Sequence, residues 1–245
     1  MSNKFQSKMF LILIILLVLF LVSCSTNNAE EKRNKLFPDE NLEKNIRKAL
    51  NNPTGKISKE ELKEIVVLEA MYPKVSNLKG IGYLSNLEKL YLDSSNIRDI
   101  TPLSNLKKLR LLRLRNNKIK DLTPLKDLVK LEILNLNNNQ IKDITPLKKL
   151  TNLKVLELAH NKIIDLSPLS NMHNLIYLTV LSNKISDISP LGELHNLEQL
   201  DISFNNIQDI SPLHSLKNLE LIWLGWNPIT DYSPVENLKN CEVIK

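Results

Sequence analysis

The 245-residue chain is poor in glycine, with five, and in aromatic residues, which make up 5%. It contains no Gly-rich phosphate loop, no zinc-ligand spacing and no nucleophile elbow. Catalysis is therefore not expected, and neither a cofactor nor a metal is called for. Cysteines number two, Cys24 and Cys241, too few for a disulfide framework. The net charge of +6 is mild, which argues against nucleic acid as a partner. A membrane-spanning helix needs about 20 apolar residues, and the uninterrupted apolar run from Met9 to Val22 has only 14.

That run follows Lys4 and Lys8 and reads as the hydrophobic region of a signal peptide. The residues after it are more specific. Leu21-Val22-Ser23-Cys24 is similar to a bacterial lipobox, which implies cleavage before Cys24 and a diacylglyceryl group on its thiol. Two or more acyl chains anchor stably where one does not. The other reading of the segment is an ordinary secretory signal with an incidental cysteine. Removing residues 1–23 takes away two lysines and leaves a charge of +4. Residues 24–35 are polar and read as a tether. Cys241 stands at an opening-leucine position of the repeat described next, where a small buried hydrophobe is expected.

From Leu87 onward the chain repeats Leu-x-x-Leu-x-Leu-x-x-Asn-x-Ile-x-Asp-Ile-x-Pro-Leu-x-x-Leu every 22 residues. This period and leucine spacing are the signature of leucine-rich repeats, each copy one coil of a stacked solenoid. Copies open at Ile65, Leu87, Leu109, Leu131, Leu153, Leu175, Leu197 and Leu219, with a fragment from Cys241 to Ile244. The expected fold is α/β: a right-handed leucine-rich-repeat solenoid with a concave parallel sheet of eight to nine short strands. Short 3₁₀ or α turns should form the convex side, because Thr or Ser before Pro supplies a helix start and few residues remain before the next strand.

Position nine is Asn117, Asn139, Asn161, Asn183, Asn205 and Asn227 in successive copies, with Ser95 in the first. A buried amide needs partners, and stacked coils offer it backbone groups. These asparagines read as a structural ladder. Before the repeats, Pro38-Asp39-Glu40 starts a helix whose Leu42, Ile46, Ala49 and Leu50 share a face, and residues 51–55 end it. Ser58 and Glu61 have capping-box spacing, with Ile57 and Leu62 placed as a hydrophobic staple. Residues 36–64 thus read as a helical cap that covers the first coil, and residues 65–245 as the repeats.

The 22-residue period with Asp-Ile-x-Pro-Leu resembles the internalin class of bacterial surface proteins. Phe-Pro-Asp-Glu-Asn-Leu through Asn-Pro-Thr-Gly-Lys-Ile-Ser resembles the helical cap of that family, and the likeness runs from Phe37 to Lys245. The resemblance implies an extracytoplasmic surface protein that binds a protein partner. Many members carry a further immunoglobulin-like domain and a wall-attachment segment, neither of which is seen before Lys245. Lipid at Cys24 would serve as the membrane anchor in their place, and host-cell invasion does not transfer.

Positions three, five and seven of each copy should project onto the concave face, with position eight at its margin. The resulting candidate binding surface gathers Tyr177, Leu181, Phe204, Leu221, Trp223 and Trp226, an aromatic and apolar group suited to a protein hot spot. The two tryptophans also fit a second role, as a cover for the C-terminal edge. A polar region adds Tyr91, Arg113 and Arg115 near Asp93, and Glu157 facing Asn135 and Thr179. Away from the strands, Lys118, Lys120, Lys126, Lys130, Lys142, Lys148 and Lys149 form either a solvated flank or a contact for an anionic surface. His173 and His195 share a repeat position but lack further metal ligands. Carbohydrate or wall-polymer binding and a self-associating envelope scaffold remain the alternatives to protein binding.

Overall fold

The computed structural model describes residues 35–245, and the chain divides into compact units between Pro38 and Asp39. The unit from Asp39 to Lys245 holds every element below. The signal segment, Cys24 and the tether through residue 34 lie outside the described residues.

The cap begins with α1 (Glu40–Ala49). The Asp39 carboxylate accepts hydrogen bonds from the N–H groups of Asn41 and Leu42, both at 3.0 Å, and so satisfies two donors the helix leaves open. Its second oxygen accepts from the N–H groups of Ser76 and Asn77 and from the Ser76 hydroxyl, tying the helix start to the first coil. Burial alone would raise the Asp39 pKa, but these hydrogen bonds hold it below the ordinary carboxylate value. The buried face of α1 differs from the expected one. It consists of Leu42, Asn45 and Ile46, while Ala49 is exposed and Leu50 half-buried. Asn45 tolerates burial because its amide donates to the Asn41 carbonyl at 2.8 Å. After the break, α2 (Lys59–Leu62) carries the expected capping box, with Ser58 Oγ and the Glu61 carboxylate bonded reciprocally.

Nine three-residue strands follow: β1 (Val67–Glu69), β2 (Lys89–Tyr91), β3 (Leu111–Arg113), β4 (Ile133–Asn135), β5 (Val155–Glu157), β6 (Tyr177–Thr179), β7 (Gln199–Asp201), β8 (Leu221–Trp223) and β9 (Glu242–Ile244). They form one parallel sheet in sequence order, and each strand from β1 to β8 pairs with its neighbour at an offset of 22 residues. The offset places like positions side by side, so each column of the repeat becomes a row across the sheet. Leu131, Leu134, Leu136, Ile141, Ile144, Leu147 and Leu150 of one coil are all at most 1% exposed, and the other coils repeat them. Each such side chain contributes about 1.5–3 kcal/mol by leaving water.

The convex returns are 3₁₀ turns, among them Thr101–Leu103, Thr145–Lys149 and Ser189–Leu191, with one α-helical turn, α3 (Ser233–Glu236), in the last coil. Their start differs from expectation. Thr or Ser is the first helical residue, the cap position before it holds isoleucine with no side-chain bond, and the aspartate before that accepts from the Thr or Ser N–H: Asp99 from Thr101, Asp143 from Thr145, Asp187 from Ser189, each at 2.8 Å. An Asx turn of this kind leaves the Thr or Ser free to take helical angles ahead of Pro.

The last strand also departs from the repeat. β9 pairs with β8 at an offset of 21, Leu221 opposite Glu242 and Ile222 opposite Val243. Since strand side chains alternate, a slip of one residue exchanges faces. Val243 takes the inward place opposite Ile222, Ile244 is 39% exposed, and Cys241 is half-buried and not in the core. Partial burial raises the Cys241 pKa.

Candidate binding surface

The asparagine ladder fixes the surface that carries the candidate residues. Asn139 donates to the Leu136 carbonyl of its own coil at 3.0 Å and to the Leu114 carbonyl of the preceding coil at 2.9 Å. Its Oδ1 accepts from the Ile119 N–H, again in the preceding coil, at 3.0 Å. Asn117, Asn161, Asn183, Asn205 and Asn227 repeat both kinds of bond. In the first copy Ser95 is too short for this role, and its buried hydroxyl has no partner.

Sequence reading missed a second ladder on the opposite flank. Asn86, Asn152, Asn174, Asn196 and Asn218 each precede an opening leucine and donate to a carbonyl 23 residues earlier, at 2.7–2.8 Å. The recurrence of Asn before Leu was the available signal.

Position eight follows each of the strands β2 to β8 in the left-handed region. Ser94, Asn116, Asn138, His160, Ser182, Phe204 and Trp226 have φ between 54° and 59°. Ser, Asn and His are unremarkable fillers here, since short polar side chains and His populate this region more readily than most. Phe204 and Trp226 are not. Large side chains in this conformation cost on the order of 1–3 kcal/mol, and neither residue recovers that by joining the core, because they are 48% and 78% exposed. They stack on each other instead, ring centroids 5.2 Å apart and planes inclined by 16°.

The other members of the apolar group lie on the strands nearby. Tyr177 stands between Val155 and Gln199, Leu221 beside Gln199, and Trp223 between Asp201 and Ile244. All three are half-buried, as is Leu181. Burial and the neighbouring carboxylates of Glu157 and Asp201 raise the Tyr177 pKa. Phe204–Trp226 is the ring stack found among the described residues, so Trp223 contributes its own separate surface. β9 flanks β8 on the side of Trp223, and Trp226 is largely exposed.

In the polar region Arg113 forms an ion pair with Asp93 at 2.8 Å, and Tyr91 is its strand neighbour. Asp93 also accepts from the Arg115 N–H, while the Arg115 side chain is exposed. Glu157 lies in register between Asn135 and Thr179, yet its hydrogen bond goes to the Asn137 amide at 2.6 Å. Asn135 and Thr179 are each 4% exposed, contrary to the open face expected of that row. The strands are about 4.8 Å apart, so short side chains are shaded by Arg113, Glu157 and Asp201 in neighbouring register positions.

The two repeat-related histidines both contact Glu193 and not each other. His173 Nδ1 lies 3.2 Å from the Glu193 carbonyl and His195 Nε2 lies 3.4 Å from the Glu193 carboxylate. Among the described residues no group of three or more His, Cys, Asp or Glu is placed to hold a metal ion.

Comparison with known proteins agrees with this geometry. A family model for paired leucine-rich repeats matches residues 107–149, 151–193 and 195–240. A search of curated proteins gave no match. Among solved structures, internalin C2 from Listeria monocytogenes is 40% identical with a TM-score of 0.82, over 85% of this chain and 93% of that one. A second Listeria monocytogenes internalin, InlF, is 39% identical with a TM-score of 0.80, over 86% and 70%. A leucine-rich-repeat protein of Leptospira interrogans is more distant, 26% identical with a TM-score of 0.66, over 69% of this chain and 45% of that one. With the nine-strand sheet, the 3₁₀ returns, the helical cap and this identity over most of both chains, the protein belongs to the internalin family of leucine-rich-repeat proteins.

Proposed function

We propose that this protein is a binding module that takes a protein partner on the concave face and its adjoining margin, through Tyr177, Leu181, Phe204, Leu221, Trp223 and Trp226. One observation carries the reading: two large aromatic residues occupy a turn position that disfavours them and remain exposed there. Fold stability does not account for such a choice, whereas binding does, since rigid aromatic side chains give large contact area with little rotamer entropy to lose. Tyr91, Arg113, Arg115 and Glu157 set register and specificity in this scheme rather than affinity. The Arg113–Asp93 pair and the Glu157–Asn137 bond hold two of these side chains in fixed geometry before the partner arrives.

The same reading assigns lipid on Cys24 as the membrane anchor, with a signal peptide at 1–23, a tether at 24–35 and display on the cell surface. These assignments rest on the sequence motif and on family membership. The role is recognition, not catalysis.

The test is crosslinking capture by the full chain on intact cells, with Phe204→Ala/Trp223→Ala as the comparison. Loss of a protein partner in the variant, with an unchanged melting temperature, supports the proposal. Equal capture by both proteins removes the concave face from it. Retention of a glycan in place of a protein, with the same dependence on Phe204 and Trp223, assigns the aromatics to carbohydrate stacking.

A further inference from the structure

A second surface lies apart from the aromatic group, on the flank where the convex returns enter the sheet. Position 22 of the repeat carries Lys108 and Lys130 in the coils opening at Leu87 and Leu109, and position two carries Arg110, Glu132 and Lys154 in those opening at Leu109, Leu131 and Leu153. Together with Glu88, Asn152 and Asn174 these side chains line a groove of about 640 Å³, in which four cations face two carboxylates.

Glu132 sits between Arg110 and Lys154 and bonds both, to the guanidinium Nε at 2.7 Å and to the ammonium at 3.1 Å. The Arg110 and Lys154 side chains are 57% and 54% exposed, but the Glu132 side chain only 25%. The carboxylate therefore fixes the two cationic heads from below and leaves their outward donors to solvent. Lys108 donates to the neutral Asn86 side chain at 2.7 Å, and among the described residues neither Lys108 nor Lys130 is paired with a carboxylate.

Lys108 and Lys130 stand one coil apart, about 4.8 Å along the sheet, and Arg110 and Lys154 two coils apart on either side of Glu132. An isolated anion meets one or two of them, while a chain of anions meets several at once and gains by multivalency. The groove contains no aromatic side chain, so it lacks the stacking platform that single-stranded nucleic acid uses. On the C-terminal coils the same two columns become Asn174, Ile176, Asn196, Glu198, Asn218 and Glu220, and the cationic run stops.

We propose that this groove, centred on Lys108, Arg110, Lys130 and Lys154, binds a linear, base-free polyanion whose backbone bears repeated sulfate or phosphate groups. Sulfated polysaccharides and polyol phosphates share that chemistry. Arg110, whose Nε and Nη2 are held by Glu132, offers the oxyanions its remaining N–H groups, and the lysines supply point charges.

The test uses the full chain and measures the affinity of a sulfated polysaccharide, a polyglycerol phosphate and an oligothymidylate of matched charge at physiological salt. Two double variants remove equal charge: Lys108→Gln/Lys130→Gln inside the groove, and Lys118→Gln/Lys142→Gln outside it. The expected result is binding of at least one base-free polymer, weakened about tenfold by the groove variant and left unchanged by the other, with affinity falling steeply as salt rises. Which polymer binds more tightly identifies the source of the anion. Equal loss in both variants, an oligothymidylate that binds as tightly as the polymers, or no polymer binding overturns the proposal. Phe204→Ala/Trp223→Ala leaves polymer binding intact if the groove acts independently of the concave face, and loss in that variant also counts against it.

Discussion

The first three clear coils, residues 87–152, carry 14 Lys and Arg against 7 Asp and Glu, and Tyr91 as their one aromatic residue. Residues 153–245 carry 6 against 11, and hold Tyr177, Phe204, Trp223, Trp226 and Tyr232. The opening leucines, the asparagine ladder and the aspartate turns that lead into the returns nevertheless continue through both regions. The difference shows that in this architecture the residues that specify the coil and those that set the surface chemistry occupy different columns. Surface chemistry has diverged along the solenoid while each coil kept the same interior.

The most severe way to break this comparison is to cut the core in each half. Leu134→Ala and Leu200→Ala remove fully buried side chains from equivalent strand positions. Each is expected to cost about 2–5 kcal/mol in urea unfolding, and by similar amounts if the two interiors are equivalent. A cost in one half several times that in the other would show that the halves differ inside as well as outside.

The ladder comes next. Asn161 donates to carbonyls in two coils and accepts the Ile141 N–H. Asn161→Leu, at the junction of the two regions, strands those groups and is expected to lose about 1–3 kcal/mol. If the variant unfolds at the wild-type urea concentration, the asparagine is dispensable and the junction is held by leucine packing alone.

Position eight sharpens the comparison, because here the two regions should respond in opposite directions. Trp226→Asn puts a residue tolerant of left-handed angles where a bulky one now stands, and should stabilise the fold by about 1 kcal/mol while weakening partner capture. Asn138→Trp makes the reverse exchange in the basic region and should destabilise by about the same amount. A Trp226→Asn protein less stable than the wild type would mean that the Phe204–Trp226 stack repays the backbone cost, and would remove the main argument for a binding role.

How much of this was legible in the sequence follows from what a repeat does and does not encode. The period exposes columns, so core leucines, strand register and the position-nine asparagines can be read from the letters alone. Backbone angles are not spelled out in the same way. Asp99 and Thr101 both read as caps from the letters, and only the turn geometry puts Ile100 at the cap, with Asp99 holding the Thr101 N–H. The left-handed turn at position eight was hinted at by Ser94, Asn116, Asn138 and His160, although Phe204 and Trp226 in the same column mask the pattern. At the C-terminal end Cys241, Val243 and Ile244 satisfy either of two registers equally well as letters, and the slip in β9 appears only in the pairing. The candidate surface was legible as a set of columns. Its internal division, a Phe204–Trp226 stack at the turn and separate strand residues around Trp223, was not.

Ser95 offers a smaller effect at the start of the basic region. Its hydroxyl is buried without a partner at the one clear copy where the ladder lacks its amide. Ser95→Asn should extend the ladder toward β1 and raise stability by about 0.5–1.5 kcal/mol. A loss of stability would show that the first coil is too irregular to accept the longer side chain.

The smallest effect expected is that of acid on the convex returns, and it should be shared by both halves. Hydrogen bonds from the side chains and N–H groups of Thr101 and Thr145 lower the pKa values of Asp99 and Asp143 in the basic region. Those from Ser211 and Ser233 do the same for Asp209 and Asp231 in the acidic one. Each carboxylate holds its proton less tightly when folded than in the unfolded chain, where the value is about 4. The stability these groups contribute is therefore present above that pH and lost as pH falls through the lower folded values. Because the carboxylates are exposed, salt and solvent keep each contribution small. Asp143→Asn and Asp209→Asn should both flatten the acid limb of a stability-versus-pH curve to a similar, slight degree. A marked response to Asp209→Asn alone would indicate that the acid sensitivity of the C-terminal coils comes from their excess of negative charge, and would separate the two halves by a property of the scaffold as well as of the surface.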